Sequence, residues 1–203
     1  MTQLAIRNAS IPFNMELGSA LQLSDDELYE LCIRNQELQI ERTPQGDLIV
    51  MTPVGGESSH RNAEAVFALV AWARQDGSGL AFDSSGGFLL PNGAMRAPDA
   101  SWVKRSKWGV LEPEERRKFV PLVPDFVMEL RSPSDRLEDV KAKMEEYRSV
   151  GVPLGWLIDP EERRVYVYRP DRPPEVLDAP DRVEGDPELP GFVLDLEPIW
   201  QPV

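Results

Sequence analysis

The chain has almost no cysteine or histidine. Cys32 and His60 are the single examples of their kinds in 203 residues. One cysteine cannot close an internal disulfide, and its place in a helical pattern reads as a small core residue. With His60 the only histidine and no His/Cys cluster, a His-based metal site or a Ser-His-Asp triad is nearly excluded. Long apolar runs are also missing: none approaches the ~20 residues that a membrane span needs. The N-terminus, Met1-Thr2-Gln3-Leu4-Ala5-Ile6-Arg7, lacks a long apolar core followed by a small-residue cleavage site. These absences lead us to expect a reducing, cytoplasmic setting and no membrane partner.

A surplus of positive charge is the third absence. Lys and Arg total 22 against 35 Asp and Glu, a net charge of −13. Nucleic-acid binders usually show a basic excess. This balance should slow association with DNA and argues against tight non-specific binding. The charge is uneven, however. Asp159 to Val203 carries 12 acids and 5 bases, more than half of the surplus, whereas Asp99 to Lys118 carries 6 bases and 4 acids.

What is present is an ordinary globular composition, 41% hydrophobic and 28% charged, of a length that suits one domain. Within it, two carboxylates sit in apolar, strand-like runs. Asp99 lies in Ala97-Pro98-Asp99-Ala100-Ser101-Trp102-Val103, and Glu129 in Pro124-Asp125-Phe126-Val127-Met128-Glu129-Leu130-Arg131-Ser132. A bare carboxylate in a buried strand is costly unless something pairs with it. A metal ion is one such partner; a strand-end cap or a backbone hydrogen bond is the plainer one.

Ser24-Asp25-Asp26-Glu27 is a capping box that starts a helix over Asp25 to Asn35. Leu38 to Glu41 alternates, Pro44-Gln45-Gly46 turns, and Asp47 to Thr52 returns as a second strand. Ser58 or Ser59 caps a helix to about Gln75, with Val66, Phe67, Leu69, Val70 and Ala73 on one broad face. Strands are expected over Gly79 to Asp83, Gly87 to Leu90 and Asp99 to Val103, with a short helix over Pro113 to Lys118 before the Glu129 strand. Ser134 or Asp135 starts a helix to Val150, and strands over Leu154 to Ile158 and Arg163 to Tyr168 follow. The remainder is Pro-rich and acidic, with short strands at most. Periodicity alone supports α/β or α+β.

Several stretches, in this order, resemble the PD-(D/E)xK nuclease superfamily, and within it a bacterial restriction-endonuclease family of the Uma type. They are Ile40 to Thr43, Gly46 to Pro53, Asp83 to Pro91, Arg96 to Val103, Pro124 to Arg136, Lys143 to Tyr147, Gly155 to Pro160 and Leu189 to Leu196. The resemblance implies a central mixed sheet flanked by helices: a restriction-endonuclease-like core with an N-terminal helix-hairpin and a C-terminal short-strand extension. We divide the single domain, 1–203, into an arm (1–23), a core (24–170) and an acidic Pro-rich extension packed on the core (171–203). The activity implied is hydrolysis of DNA phosphodiester bonds. The alternative is the same fold without catalysis, a nucleic-acid-binding or protein-interaction module.

Phosphodiester hydrolysis needs an activated water and stabilised phosphate charge, both of which a divalent metal supplies. Mg²⁺ prefers oxygen ligands and needs only one or two protein carboxylates. The resemblance places Asp99 and Glu129 as ligands of Mg²⁺ (or Mn²⁺), with the Leu130 carbonyl as a further one. The superfamily lysine normally follows the second acid by two positions; Arg131 stands there instead, and arginine cannot serve as a base. The related family takes its lysine from the next helix, where Lys143 matches. Leu137, Val140, Met144, Tyr147 and Val150 define that helix's buried stripe. Lys143 lies about 60° from its centre and Lys141 about 100°. A lysine there either snorkels toward the sheet end or pairs in solvent with Glu146 or Asp139.

Glu41, on the polar side of its hairpin strand, and Glu64, on the first core helix, are further candidates; for each the surface-charge reading is favoured. Asn62 could hold a water or phosphate, or be a surface amide. Trp102, Trp108, Trp156 and Trp200 read as core or interface packing before base-stacking platforms. A homodimer, the commonest closed assembly, is expected.

Overall fold

The computed structural model describes residues 13–15, 23–51 and 53–202. The arm expected over 1–23 lies outside these except for a short strand, β1 (Phe13–Met15), and Leu23. The Ser24 side chain accepts from the Glu27 amide, and Glu27 accepts from the Ser24 amide at 2.8 Å; this box starts α1 (Asp25–Arg34). The hairpin follows as β2 (Gln39–Arg42) and β3 (Leu48–Met51), turning at Gly46 with φ +95°, a conformation glycine adopts without strain.

The next helix, α2 (Gly56–Asp76), begins earlier than the serines suggested: Gly55 is the N-cap and no side chain caps the end. After it come β4 (Gly79–Asp83), β5 (Phe88–Leu89), β6 (Met95–Arg96) and β7 (Ala100–Lys104). A short helix not read from the sequence, α3 (Arg105–Gly109), follows, and the helix expected over 113–118 is only a 3-10 turn, Glu115–Arg117. The chain continues through β8 (Phe126–Leu130), α4 (Leu137–Ser149), β9 (Leu154–Asp159), β10 (Arg164–Arg169) and β11 (Arg172–Asp178). It closes with β12 (Arg182–Glu184), β13 (Val193–Asp195) and α5 (Glu197–Trp200).

Six strands make the main sheet, in the order β11-β10-β9-β8-β7-β4. All neighbours are antiparallel except β8 and β9, whose parallel pairing requires the α4 crossover. The seven-residue β11 corrects the reading of short strands at most after residue 170. Pro173 and Pro174 do not prevent it, because it lies at the sheet edge, where a missing donor is tolerated. A second sheet, β1-β3-β2-β6-β5, carries the hairpin.

Side-chain alternation sends the two faces of the main sheet to different cores. Phe126, Met128, Trp102 and Trp156 pack against Ala65 and Leu69 of α2, together with Phe192, Leu194, Leu196 and Ile199 from the C-terminal extension. Val127, Leu157 and Val103 pack on the other side against Met144 and Tyr147 of α4. A third cluster, built on Leu28, Ile40, Leu48, Val50 and Met95, includes half-buried Cys32. Among the described residues no helix is long and apolar enough to cross a membrane.

Candidate functional site

The antiparallel register of β7 and β8 pairs Ala100 with Met128. Asp99, the residue before β7, is brought beside the Glu129–Leu130 end of β8 by this register. The pair is stitched by the backbone: the Leu130 amide donates to Asp99 Oδ2 at 2.8 Å. Odd positions of β8 face α4, so Glu129 points out of the apolar layer that Met128 and Leu130 enter. On α4, Lys143 and Tyr147 are one turn apart and project from the same face. Lys143 Nζ lies 2.8 Å from Glu129 Oε1, and Tyr147 Oη donates to that same oxygen at 3.0 Å. Among the described residues Glu129 Oε2 and Asp99 Oδ1 have no hydrogen-bond partner.

Glu41 departs from the surface reading. It is 2% exposed, enclosed by Lys143 of α4, Arg96 of β6 and the Ala97 amide. Its Oε1 accepts from Lys143 Nζ at 2.8 Å and from the Ala97 amide at 2.9 Å, and its Oε2 from Arg96 Nη1 at 3.0 Å. Arg96 also donates to Glu146, which accepts from Asn92 Nδ2 as well. Lys143 therefore pairs with neither Glu146 nor Asp139.

The other candidates are placed elsewhere. Arg131, in the usual lysine position, donates through Nη1 to both oxygens of fully buried Asp159 at 3.0 Å and through Nε to the Asp135 carbonyl. That fixes it as a link between β8 and β9. Lys141 pairs with exposed Glu138 and lies 5.0 Å from the Tyr166 ring centroid, away from the acids. Glu64 is half-buried and has no ion pair among the described residues; Asn62 Oδ1 is buried without a hydrogen-bond partner. Trp102 and Trp156 are core residues. Sequence reasoning missed Arg96 and Glu146 as members of this network and read Tyr147 only as apolar packing. The Lys143-to-Tyr147 and Arg96-to-Val103 stretches already contained all three.

Burial dominates the electrostatics. It pushes the Asp99 carboxyl up to about 6 against the Leu130 amide and the Lys143 charge. It pushes Glu129 up as well, with Asp99 and Glu41 adding repulsion to what Lys143 opposes. Glu41 is desolvated too, yet the charges of Lys143 and Arg96 outweigh that and hold it below the ordinary carboxylate range. Burial alone would lower Lys143, but Glu129 and Glu41 raise it above the usual lysine value. Four carboxylates (Asp99, Glu129, Glu41, Glu146) stand near two cations (Lys143, Arg96), which leaves two negative charges unmatched when all four are ionised.

A divalent cation fits that deficit. The free donors at Asp99 and Glu129 are carboxylate oxygens, which suit Mg²⁺ or Mn²⁺ rather than zinc. No group of three or more His, Cys, Asp or Glu among the described residues is arranged to hold a metal, so water would complete such a shell.

A family model described as "Putative restriction endonuclease" (Uma2) matches residues 25–197. Among solved structures, the chain is similar to the crystal structure of a putative nuclease belonging to DUF820 from Anabaena variabilis ATCC 29413. The two share 24% identity and superpose with a TM-score of 0.71, over 88% of this chain and 97% of that one. This likeness establishes the fold, a mixed sheet with flanking helices. No curated protein matches the chain.

Proposed function

Because the chain belongs to the Uma2 family of putative restriction endonucleases, we propose that it is a metal-dependent endonuclease acting on DNA phosphodiester bonds. One observation carries the reading. Asp99, just before β7, accepts from the Leu130 amide next to Glu129 on the neighbouring β8, and a lysine ammonium lies 2.8 Å from Glu129. Asp99 Oδ1 and Glu129 Oε2 would hold Mg²⁺ or Mn²⁺. Tyr147 and Lys143 both engage Glu129 Oε1, which orients the carboxylate and leaves Oε2 for the ion. Bound there, the ion would lower the pKa of water and offset phosphate charge. Lys143, whose protonated form its two carboxylate neighbours favour, acts as a fixed cation and not as a base. It holds a non-bridging phosphate oxygen, where developing charge is greatest.

The test is cleavage of supercoiled plasmid with Mg²⁺ or Mn²⁺ by wild-type protein and by Asp99→Ala. Metal-dependent nicking by the first and none by the second is expected. A wild-type protein inert with both ions, or a variant that cleaves equally well, would overturn the reading.

The net charge of −13 favours a second reading, a non-catalytic nuclease-fold module that binds nucleic acid or protein. DNA retention without cleavage in the same assay would select it. We also propose a homodimer, checked by light-scattering mass at micromolar concentration; a monomer mass refutes it.

A further inference from the structure

The geometry points to Glu41 as a positioning residue that holds Lys143 in place beside the divalent cation, an assignment that rests on the nuclease reading above. Glu41 does not belong to the sheet that carries the other acids. It comes from β2, 102 residues before Lys143 in the chain, and meets that lysine at 2.8 Å. Three donors from different places fix it: Lys143 on α4, the Ala97 amide just before Pro98-Asp99, and Arg96 on β6. Arg96 is anchored in turn by Glu146, one turn beyond Lys143 on α4. The ring so formed ties the segment that sets Asp99 to the helix that carries the lysine.

Glu129 alone cannot keep Lys143 there once a cation is bound. An ion held by Asp99 and Glu129 draws on the charge of Glu129 and repels an ammonium beside it. A lysine stem is flexible and its head is strongly hydrated, so the side chain would swing to water. A second carboxylate outside the metal's own ligands prevents this. Glu41 has that place, with Lys143 and the Ala97 amide on one oxygen and Arg96 on the other.

Glu41→Gln keeps the size and removes the charge; Glu41→Asp keeps the charge and retracts it. On the nuclease reading, Glu41→Gln lowers the saturated cleavage rate by about 10²-fold, the scale of losing one preorganised charge-stabilising group. The Mg²⁺ half-saturation moves less than about threefold, because no ligand is lost, and Glu41→Asp regains part of the rate. The double variant Glu41→Gln with Lys143→Met is no slower than Lys143→Met alone, because the two act as one unit. A half-saturation shifted tenfold or more, or a double variant slower than the single one, makes Glu41 a metal ligand and overturns the proposal. An unchanged cleavage rate in folded Glu41→Gln overturns it as well.

A readout independent of cleavage keeps the two claims separable. The ¹⁵N-edited NMR signal of the Lys143 ammonium, assigned with Lys143→Met, should persist in Mg²⁺-loaded wild type and in Glu41→Asp, and vanish in Glu41→Gln. Persistence in Glu41→Gln refutes the positioning role. A wild-type protein that cleaves no DNA refutes the nuclease reading, and the ammonium signal still decides what Glu41 does.

Discussion

Strands β7 and β8 have a buried carboxylate group at both ends, and the two ends treat it differently. At one end Asp125, 4% exposed, accepts from the Lys104 amide at 2.9 Å and meets Lys107 Nζ at 3.0 Å, with Lys104 Nζ at 3.8 Å. One carboxylate is answered by an amide and two lysines whose stems reach to solvent. At the other end Glu129, Glu41 and Glu146 share Lys143 and Arg96, and Asp99 adds a fourth carboxylate met only by the Leu130 amide. The first end obeys the rule that desolvated charge must be matched. The second breaks it by two charges. Departures of that kind mark functional places more often than structural ones, because surplus charge is what a ligand can answer.

Cleavage should separate the ends most strongly. Asp99→Asn removes a carboxylate that the ion would need, and the rate at saturating Mg²⁺ should fall by at least about 10²-fold, the scale of losing a charge-stabilising group. Asp125→Asn, at the far end of the same two strands, should stay within about threefold. Equal losses, measured as plasmid nicking rates, would make the difference between the ends one of stability alone.

Stability should go the other way. Asp125→Ala leaves the Lys104 amide without its acceptor in a partly buried place, a loss of about 1 kcal/mol. Asp99→Asn keeps an acceptor for the Leu130 amide and removes one of the unmatched charges. In metal-free protein at pH 8 it should cost nothing or raise the urea midpoint. A midpoint lowered as far as in Asp125→Ala would show that Asp99 is already satisfied.

The sign of the pH effect sharpens the same point. Asp99 holds its proton more tightly in the fold, up to about 6, than in an unfolded chain. Its contribution is therefore complete below the ordinary carboxylate pKa of about 4 and is lost as pH rises through 6. Glu129, also raised, extends that loss upward in pH. Glu41, held low, contributes in the opposite sense and weakens the fold as pH falls below its ordinary value. The melting temperature of metal-free wild type should thus fall relative to Asp99→Asn between pH 5 and 8, and added Mg²⁺ should raise it more at pH 8 than at pH 5. Parallel curves for the two proteins would remove the unmatched charge from the account.

Asp99 and Glu129 stand out locally, as carboxylates in apolar runs, but their role as metal ligands and the choice of Lys143 come from the family resemblance; the helical wheel is only compatible with that lysine. Strand register then brings the acids together, and the fold class followed from the order of matching stretches. What local pattern could not show is which polar face another part of the chain covers. Glu41 alternates correctly on β2, yet alternation takes its polar side for solvent, and Lys143 of α4 with Arg96 and the Ala97 amide contradicts that. Arg131 stands where a catalytic cation was sought, but Asp159, 28 residues later, claims it. Tyr147 obeys the apolar period with its ring while its hydroxyl serves Glu129. The start of α2 at Gly55 and the edge strand over Pro173-Pro174 likewise depend on tertiary packing that overrides local preference.

The smallest expected effect concerns the other lysine on α4. Lys141 precedes Lys143 by two residues, a rotation of about 200° on the helix, and so faces a different neighbourhood. It rests over Tyr166 with its ammonium 5.0 Å from the ring centroid and pairs with exposed Glu138 at 3.4 Å. Both contacts are partly solvated, which limits them to about 0.5–1 kcal/mol for the ring and less for the ion pair. Lys141→Ala should therefore cost at most about 1 kcal/mol in urea unfolding, and alanine's helix propensity will recover a little of it. Its cleavage rate should remain within about twofold of wild type, because no carboxylate of the surplus end touches it. Lys143→Met should lose activity by the same order as Asp99→Asn. Two lysines on one helix would then differ by two orders of magnitude in their effect on cleavage, according to which carboxylates they meet. If Lys141→Ala slows cleavage as much as Lys143→Met, the cation that matters is set by the charge of the whole helix and not by contact with Glu129 and Glu41.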